Sequence, residues 1–210
     1  MKPLFSLLFL LFLAATASAA TTGTEIKTVL FFGDSLTAGY GLEDAATQSF
    51  PAVIQKKIDA AGLPWRMVNA GLSGETSAGG LRRIEWILRA PVDIFVLELG
   101  ANDGLRGLPL DALRTNLQSI IDRVRAKNPS VKIVIAGMKM PVNLGDYANT
   151  FADVFPAIAK ANQATLIPFL LENVAARPEL NQPDGIHPTA EGARLVADTI
   201  WKTLEPLLKD

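Results

Sequence analysis

The chain contains no cysteine and a single histidine. Without thiols it has no disulfides, so its stability must come from its core alone, which 210 residues are enough to build. One imidazole and no thiolate cannot assemble a zinc site of the usual nitrogen and sulfur ligands. No Asp-x-Asp-x-Asp loop suggests calcium either. The expectation is therefore no metal and no cofactor. Positive charge is also scarce. The 20 Lys and Arg against 21 Asp and Glu give a formal charge of −1, or −2 without Lys2, and no basic run or basic–aromatic stripe is present. A nucleic-acid partner is excluded on that ground. Long apolar runs are missing apart from Leu4–Leu13, which is interrupted by Ser6 and falls short of the about 20 residues that a membrane span needs.

That one run has a context. Met1-Lys2 precedes it, and Ala14-Ala15-Thr16-Ala17-Ser18-Ala19-Ala20 follows. A basic start, a short apolar core and an Ala-x-Ala site predict a secretory signal peptide over residues 1–19, cleaved after Ala19. The alternative is an uncleaved anchor; lipid attachment is excluded because no cysteine follows. The expected product is an exported, periplasmic or secreted chain with one domain over residues 20–210. Part of the high hydrophobic content, 49% with a mean hydropathy of +0.25, belongs to this leader.

From about Glu25, short apolar runs alternate with amphipathic stretches. Thr28–Phe32, Arg66–Asn69, Val92–Leu99, Val131–Ala136 and Ala164–Ile167 read as strands. Ile94-Phe95-Val96-Leu97 is apolar on both faces, as in a central parallel strand; Glu98 beside it is an anomaly, expected at a strand end with a polar partner. Between the strands lie helices. One opens at Ser49-Phe50-Pro51, with Ser49 as its cap. Others carry inner stripes at Leu81, Ile84, Ile87 and Leu88 and at Leu110, Leu113, Leu117, Ile120, Ile121 and Val124. Gly137–Tyr147 reads as a long loop, and Thr150–Ala161 as a helix that Pro156 kinks or divides. Thr189 caps a last helix with Val196, Ile200, Leu204 and Leu207 inward. Five strand–helix alternations without a composition break predict an α/β domain with a parallel sheet and helices on both faces.

In such a sheet, every strand-to-helix loop opens on the carboxyl edge. That edge would gather Gly33-Asp34-Ser35, Gly71-Leu72-Ser73-Gly74-Glu75, Gly100-Ala101-Asn102-Asp103 and Asp184-Gly185-Ile186-His187. These residues match the needs of acyl transfer. Ser35 is a nucleophile if a base takes its proton, and His187 is the only imidazole available. Asp184, three residues earlier, is close enough to fix the histidine tautomer. The N–H groups of Ser35 and Gly74 and the side-chain amide of Asn102 are candidate oxyanion donors. Each has a bland alternative. Ser35 would serve as a helix cap, Gly74 as a turn glycine, Asn102 as an Asx-turn residue, Asp184 as a turn residue and His187 as a surface residue. The stretch after the first strand is neither a P-loop nor a dinucleotide fingerprint, and it lacks the Gly-x-Ser-x-Gly elbow because Thr37 holds the second-glycine position.

Gly33-Asp34-Ser35-Leu36, Gly74 within Asn69–Thr76, Asn102 within Gly100–Asp103 and Asp184-Gly185-Ile186-His187-Pro188 together resemble the four blocks of the SGNH hydrolases, the GDSL family. Gly104–Leu108 and Ile167-Pro168-Phe169 are similar to its periplasmic thioesterase I, lysophospholipase L1 and arylesterase branch. The resemblance implies a flavodoxin-like three-layer α/β/α sandwich with a five-stranded sheet of order 2-1-3-4-5, and a shallow site without a helical lid. It also implies a serine esterase or thioesterase acting on aryl esters, acyl thioesters or lysophospholipids through an acyl-enzyme on Ser35. Leu105, Leu108, Pro141 and Ile186, with Met138, Met140, Val142 and Leu144 nearby, are candidates to line an apolar acyl groove, or else form loop core. The expected partner is a small acyl ester or thioester, with transient membrane-lipid contact and a monomeric chain. A carbohydrate O-deacetylase and a non-catalytic lipid- or glycan-binding module are the competing readings.

Overall fold

The computed structural model describes residues 25–210, so the leader and its cleavage site lie outside the described residues. Five strands form one parallel sheet of order β2-β1-β3-β4-β5: β1 (Lys27–Gly33), β2 (Trp65–Gly71), β3 (Ile94–Glu98), β4 (Lys132–Ala136) and β5 (Thr165–Ile167). All five expected strands are present, with ends shifted by at most two residues. The helices are α1 (Ser35–Ala38), α2 (Ala45–Gln48), α3 (Phe50–Ala60), α4 (Ser77–Ile87), α5 (Ala101–Leu105), α6 (Leu110–Lys127), α7 (Asp146–Ala161) and α8 (Ala190–Lys209).

The chain crosses from β1 to β2 in one direction and from β2 to β3 in the other. Right-handed crossovers then put α3 and α4 on opposite faces. The contacts agree: α3 packs with α8, while α4, α6 and α7 pack in a row. The central strands β1 and β3 are apolar because they are covered on both faces, whereas the edge strand β2 is only partly buried. Val29, Phe31, Phe32, Ile94, Phe95 and Val134 are all buried. Phe31 meets Phe50 of α3 edge to face, and Phe32 lies against Phe95. At the C-terminus, Trp65 Nε1 donates to Leu208 O at 2.9 Å and ties α8 to the edge strand.

Several local expectations are corrected. Ser49 stands at the N-cap of α3, but its hydroxyl makes no capping bond and is buried without a partner. The long loop after β4 is shorter than expected. Val142–Leu144 is a 3₁₀ turn, and α7 starts at Asp146 and runs through Pro156 as one element. Pro156 is exposed, whereas Phe151, Val154, Phe155 and Ile158 are buried. Packing of that face offsets the roughly 3 kcal/mol that an interior proline costs. In α8, Leu208 is buried where Leu207 was expected inward.

The strand order reverses between β1 and β3, and at such a switch point a crevice opens above the carboxyl ends. Gly33 is the register partner of Gly71 on one side and of Glu98 on the other. Gly71 must be small, because a Cβ there would lie 2.3 Å from the Ala38 backbone nitrogen. The turn at Asp34–Ser35 and the loop after β2 therefore stand side by side.

Candidate active site

Asp34 caps α1, accepting from Leu36 N at 3.0 Å, and this turn holds Ser35 at the first helical position. A residue there has no intrahelical partner for its N–H. In the second loop, Leu72 N donates to Gly33 O at 3.0 Å and Glu75 N to Leu72 O at 3.1 Å. Gly74 sits at φ +78°, a left-handed conformation that glycine adopts without strain. Among the described residues neither the Ser35 nor the Gly74 N–H has a hydrogen-bond partner. Arg83 of α4 pairs with Glu75 and also donates to Gly33 O at 3.2 Å, fastening this loop to the end of β1.

His187 Nε2 lies 2.8 Å from Ser35 Oγ, and its Nδ1 lies 2.7 Å from Asp184 Oδ2. The other carboxylate oxygen of Asp184 accepts from Ile186 N at 2.9 Å and His187 N at 3.0 Å, with Gly185 at φ +70° closing the turn. The hydrogen bond from the His187 ring, followed by the one from its backbone N–H, lowers the Asp184 pKa to about 2. An ionised carboxylate at that point accepts the Nδ1 proton and leaves Nε2 to accept from Ser35.

Asn102, on α5, completes the group. Its Nδ2 donates to Asp34 Oδ2 at 3.2 Å, while Arg106 Nη2 approaches Asn102 Oδ1 at 3.5 Å and donates to Gly74 O at 3.0 Å. Next to it, Asp103 is buried and accepts from Ser77 N at 2.8 Å and Ser77 Oγ at 2.6 Å, joining α5 to the start of α4. A cavity of about 310 Å³ opens over these groups, lined by Ser35, Gly74, Asn102, Asp184 and His187 together with Leu36, Tyr40, Leu105 and Ile186. Leu105 and Ile186 thus stand at the site. Leu108 and Pro141 do not line this cavity. The chain turns away at Gly107, φ +62°, Leu108 O accepts from the Tyr147 hydroxyl, and Pro141 starts the exposed 3₁₀ turn. Met138 and Met140 are buried in the core rather than in the site.

Three residues at or beneath the site were not singled out for a role in the sequence. Tyr40 stands with its ring 4.7 Å from the His187 ring; an aromatic between two glycines was the available signal. Asp34 and Glu98 form a buried acidic pair under Ser35. Among the described residues no cluster of three or more His, Asp or Glu side chains is arranged to hold a metal ion.

Residues 31–195 match the GDSL-like lipase/acylhydrolase family. The chain is 38% identical over 190 residues to Esterase TesA of Pseudomonas aeruginosa, covering 90% of this chain and 92% of that one. It is 36% identical over 203 residues to Thioesterase 1/protease 1/lysophospholipase L1 of Escherichia coli K12, covering 96% and 91%. Its fold superposes on the psychrotrophic esterase EstA of Pseudoalteromonas sp., inhibited by monoethylphosphonate, with a TM-score of 0.81 and 32% identity over 88% of this chain and 100% of that one.

Proposed function

The chain belongs to the GDSL-like lipase/acylhydrolase family, and from that membership we propose how its own residues carry out ester hydrolysis. It is a carboxylic ester hydrolase, a serine esterase and thioesterase that takes small-molecule esters. The observation that supports the assignment of roles is the unbroken line from Asp184 through His187 to Ser35, at 2.7 and 2.8 Å, beneath an open cavity.

In this reading Ser35 Oγ attacks the acyl carbonyl as His187 Nε2 takes its proton. Asp184 holds the imidazole and stabilises the imidazolium. The new oxyanion sits between the Ser35 N–H, the Gly74 N–H and the Asn102 amide, donors that need not reorganise as charge develops. Collapse expels the alcohol or thiol, which takes its proton from His187. Water then attacks the acyl-enzyme with His187 again as base, and the acid leaves with Ser35 restored.

Leu105 and Ile186, exposed at the cavity rim, favour an acyl chain over an acetyl group, since each methylene removed from water contributes about 0.8 kcal/mol. Thioesters and lysophospholipids are included because a relative of 36% identity is named for both. The predicted leader supports export to the periplasm or medium, with residues 20–210 as one domain after cleavage.

Hydrolysis of p-nitrophenyl octanoate and labelling by a fluorophosphonate test the assignment together. Ser35→Ala should lose both, and His187→Ala should be comparably inactive because no second histidine exists. Labelling that persists in Ser35→Ala would refute Ser35 as the nucleophile. A p-nitrophenyl series from acetyl to palmitoyl tests the acyl preference, and an optimum at acetyl would favour a deacetylase instead.

A further inference from the structure

A primary amide presents two nearly isosteric ends, one a donor and the other an acceptor. If Asn102 is to stabilise an oxyanion, its nitrogen must face the site; turned by 180° it would set an oxygen against the negative charge. Something has to distinguish the two ends, and it must accept hydrogen bonds without donating them.

Asp34 is placed to do this. Its carboxyl is buried, with Oδ1 committed to Leu36 N at 3.0 Å and Oδ2 directed at Asn102 Nδ2 at 3.2 Å. An ionised carboxylate accepts only. From the solvent side, Arg106 donates only, and its Nη2 stands toward Asn102 Oδ1 at 3.5 Å. Asn102 is thus bracketed by an acceptor at its nitrogen and a donor at its oxygen. Asp34 is in turn fixed from beneath. Its backbone N–H donates to Glu98 Oε2 at 3.1 Å, and the Thr37 hydroxyl donates to the same oxygen at 2.7 Å. Glu98 fits there only because residue 33 has no side chain: a Cβ on Gly33 would lie 2.3 Å from Glu98 Oε2 and 2.1 Å from Thr37 Oγ1.

We propose that Asp34, locked in place by Glu98, is a positioning residue that sets the Asn102 amide with its nitrogen toward the oxyanion. This rests on the oxyanion role assigned to Asn102 above. It accounts for an acid buried next to the nucleophile but outside the Ser35–His187–Asp184 line, and for Glu98 at the end of an otherwise apolar strand.

The arrangement also carries a pH dependence. The charged groups facing Asp34 are Glu98 from β3, Asp103 from α5 and His187 from the loop before α8, with Arg83 of α4, paired to Glu75, on the Gly33 carbonyl. Burial pushes the Asp34 pKa up to about 6 against the hydrogen bonds from Leu36 and Asn102. Burial, reinforced by the Asp34 charge, holds Glu98 well above the usual carboxylate range, and its Oε1 has no hydrogen-bond partner among the described residues. Below about pH 6 Asp34 gains a proton, becomes able to donate and no longer distinguishes the two ends of the amide.

Asp34→Asn separates this role from a structural one. Asparagine caps helices as well as aspartate does. Its oxygen would keep the bond to Leu36 N, leaving its NH₂ against the Asn102 nitrogen. The experiment measures kcat and KM on p-nitrophenyl octanoate for wild type, Asp34→Asn, Asn102→Ala and the double variant. Asp34→Asn is expected to lower kcat about 100-fold with little change in KM, and Asn102→Ala to lower it about 10²–10³-fold. The double variant should be no slower than Asn102→Ala, because both losses pass through one donor. On the acid side, the wild-type rate should fall with uptake of two protons and that of Asp34→Asn with one. A kcat for Asp34→Asn within about twofold of wild type, multiplying losses in the double variant, or equal proton counts would each overturn the proposal. If Asn102→Ala itself keeps wild-type kcat, the oxyanion reading has failed; if only Asp34→Asn keeps it, the positioning role alone has failed. Should Asp34→Asn not fold, Asp34→Ser retains a capping hydroxyl too short to reach Asn102, and the same comparison decides.

Discussion

Asp34→Asn is expected to stabilise the protein at pH 8 although it slows the reaction. Burial raises the Asp34 carboxyl from 3.8 to about 6. Because the folded-state pKa is the higher one, the native state binds the proton more tightly than the unfolded chain. The associated stability is complete below about pH 3.8, declines through the interval up to about pH 6 and is absent above it. At 1.36 kcal/mol per unit, an ionised Asp34 costs the fold about 3 kcal/mol at pH 8. Asparagine is neutral throughout and avoids that cost. Facing Asn102 with a second donor returns about 1 kcal/mol, leaving a net gain of about 2 kcal/mol. For a chain of this size that corresponds to a rise in Tm of about 4–8 °C. Relief of the Asp34 charge also lets the raised Glu98 carboxyl ionise more readily, which by the same linkage adds to the gain at pH 8 and draws the value toward the upper end. Thermal unfolding followed by circular dichroism from pH 4 to pH 8 measures it. The variant should match or fall slightly below wild type at pH 4 and exceed it at pH 8. A Tm difference that does not change with pH, or a destabilisation at pH 8, would refute the electrostatic reasoning.

Two further outcomes follow from the site geometry. Asp184→Asn should lower kcat about 10⁴-fold on p-nitrophenyl esters, because an amide cannot hold the His187 tautomer or offset the imidazolium. The wild-type Asp184 pKa is lowered to about 2, so its stabilising contribution is present above 3.8 and lost only as pH falls toward 2; mildly acidic buffers should leave this contact intact in thermal melts. Gly74→Ala meets no obstruction, since its Cβ would approach only Arg106 Nη2 at 3.7 Å, but φ +78° makes alanine unfavourable there by about 1–2 kcal/mol. It should melt a few degrees lower and lose kcat more than it raises KM, measured on the same ester.

The candidate site was legible in the sequence to the extent that it depends on chain order. Strand-to-helix loops of a parallel sheet open on one edge, so Ser35, Gly74, Asn102 and the Asp184–His187 pair were bound to meet once the alternation was recognised. A single imidazole left no choice of candidate base. What escaped the reading depends on the paths of individual loops. Leu108 and Pro141 belong to the same apolar loops as Leu105, but a left-handed glycine at 107 and a 3₁₀ turn at Val142–Leu144 carry them away from the cavity. Pro156 argued for a broken helix on local grounds, yet the buried face of α7 holds it in one piece, because packing summed over several side chains outweighs one lost backbone bond.

Glu98 shows where the division lies. Composition and periodicity determined that the chain alternates strands and helices, which segments are central and which loops share the carboxyl edge, since each of these follows from local apolar pattern and from the handedness of crossovers. A glutamate at the end of a buried strand was expected to find a polar partner, as it does in Thr37, but which partner and for what purpose had no answer at that level. Only the register of β1 against β3 puts it opposite Gly33, and only the missing side chain of that glycine lets its carboxyl reach Asp34 and Thr37. The choice between the two ends of the Asn102 amide is likewise a matter of which groups stand at 3 to 4 Å after folding. Hydrogen-bond partners are settled by ångström-scale distances between segments far apart in the chain, and no one-dimensional pattern encodes those distances.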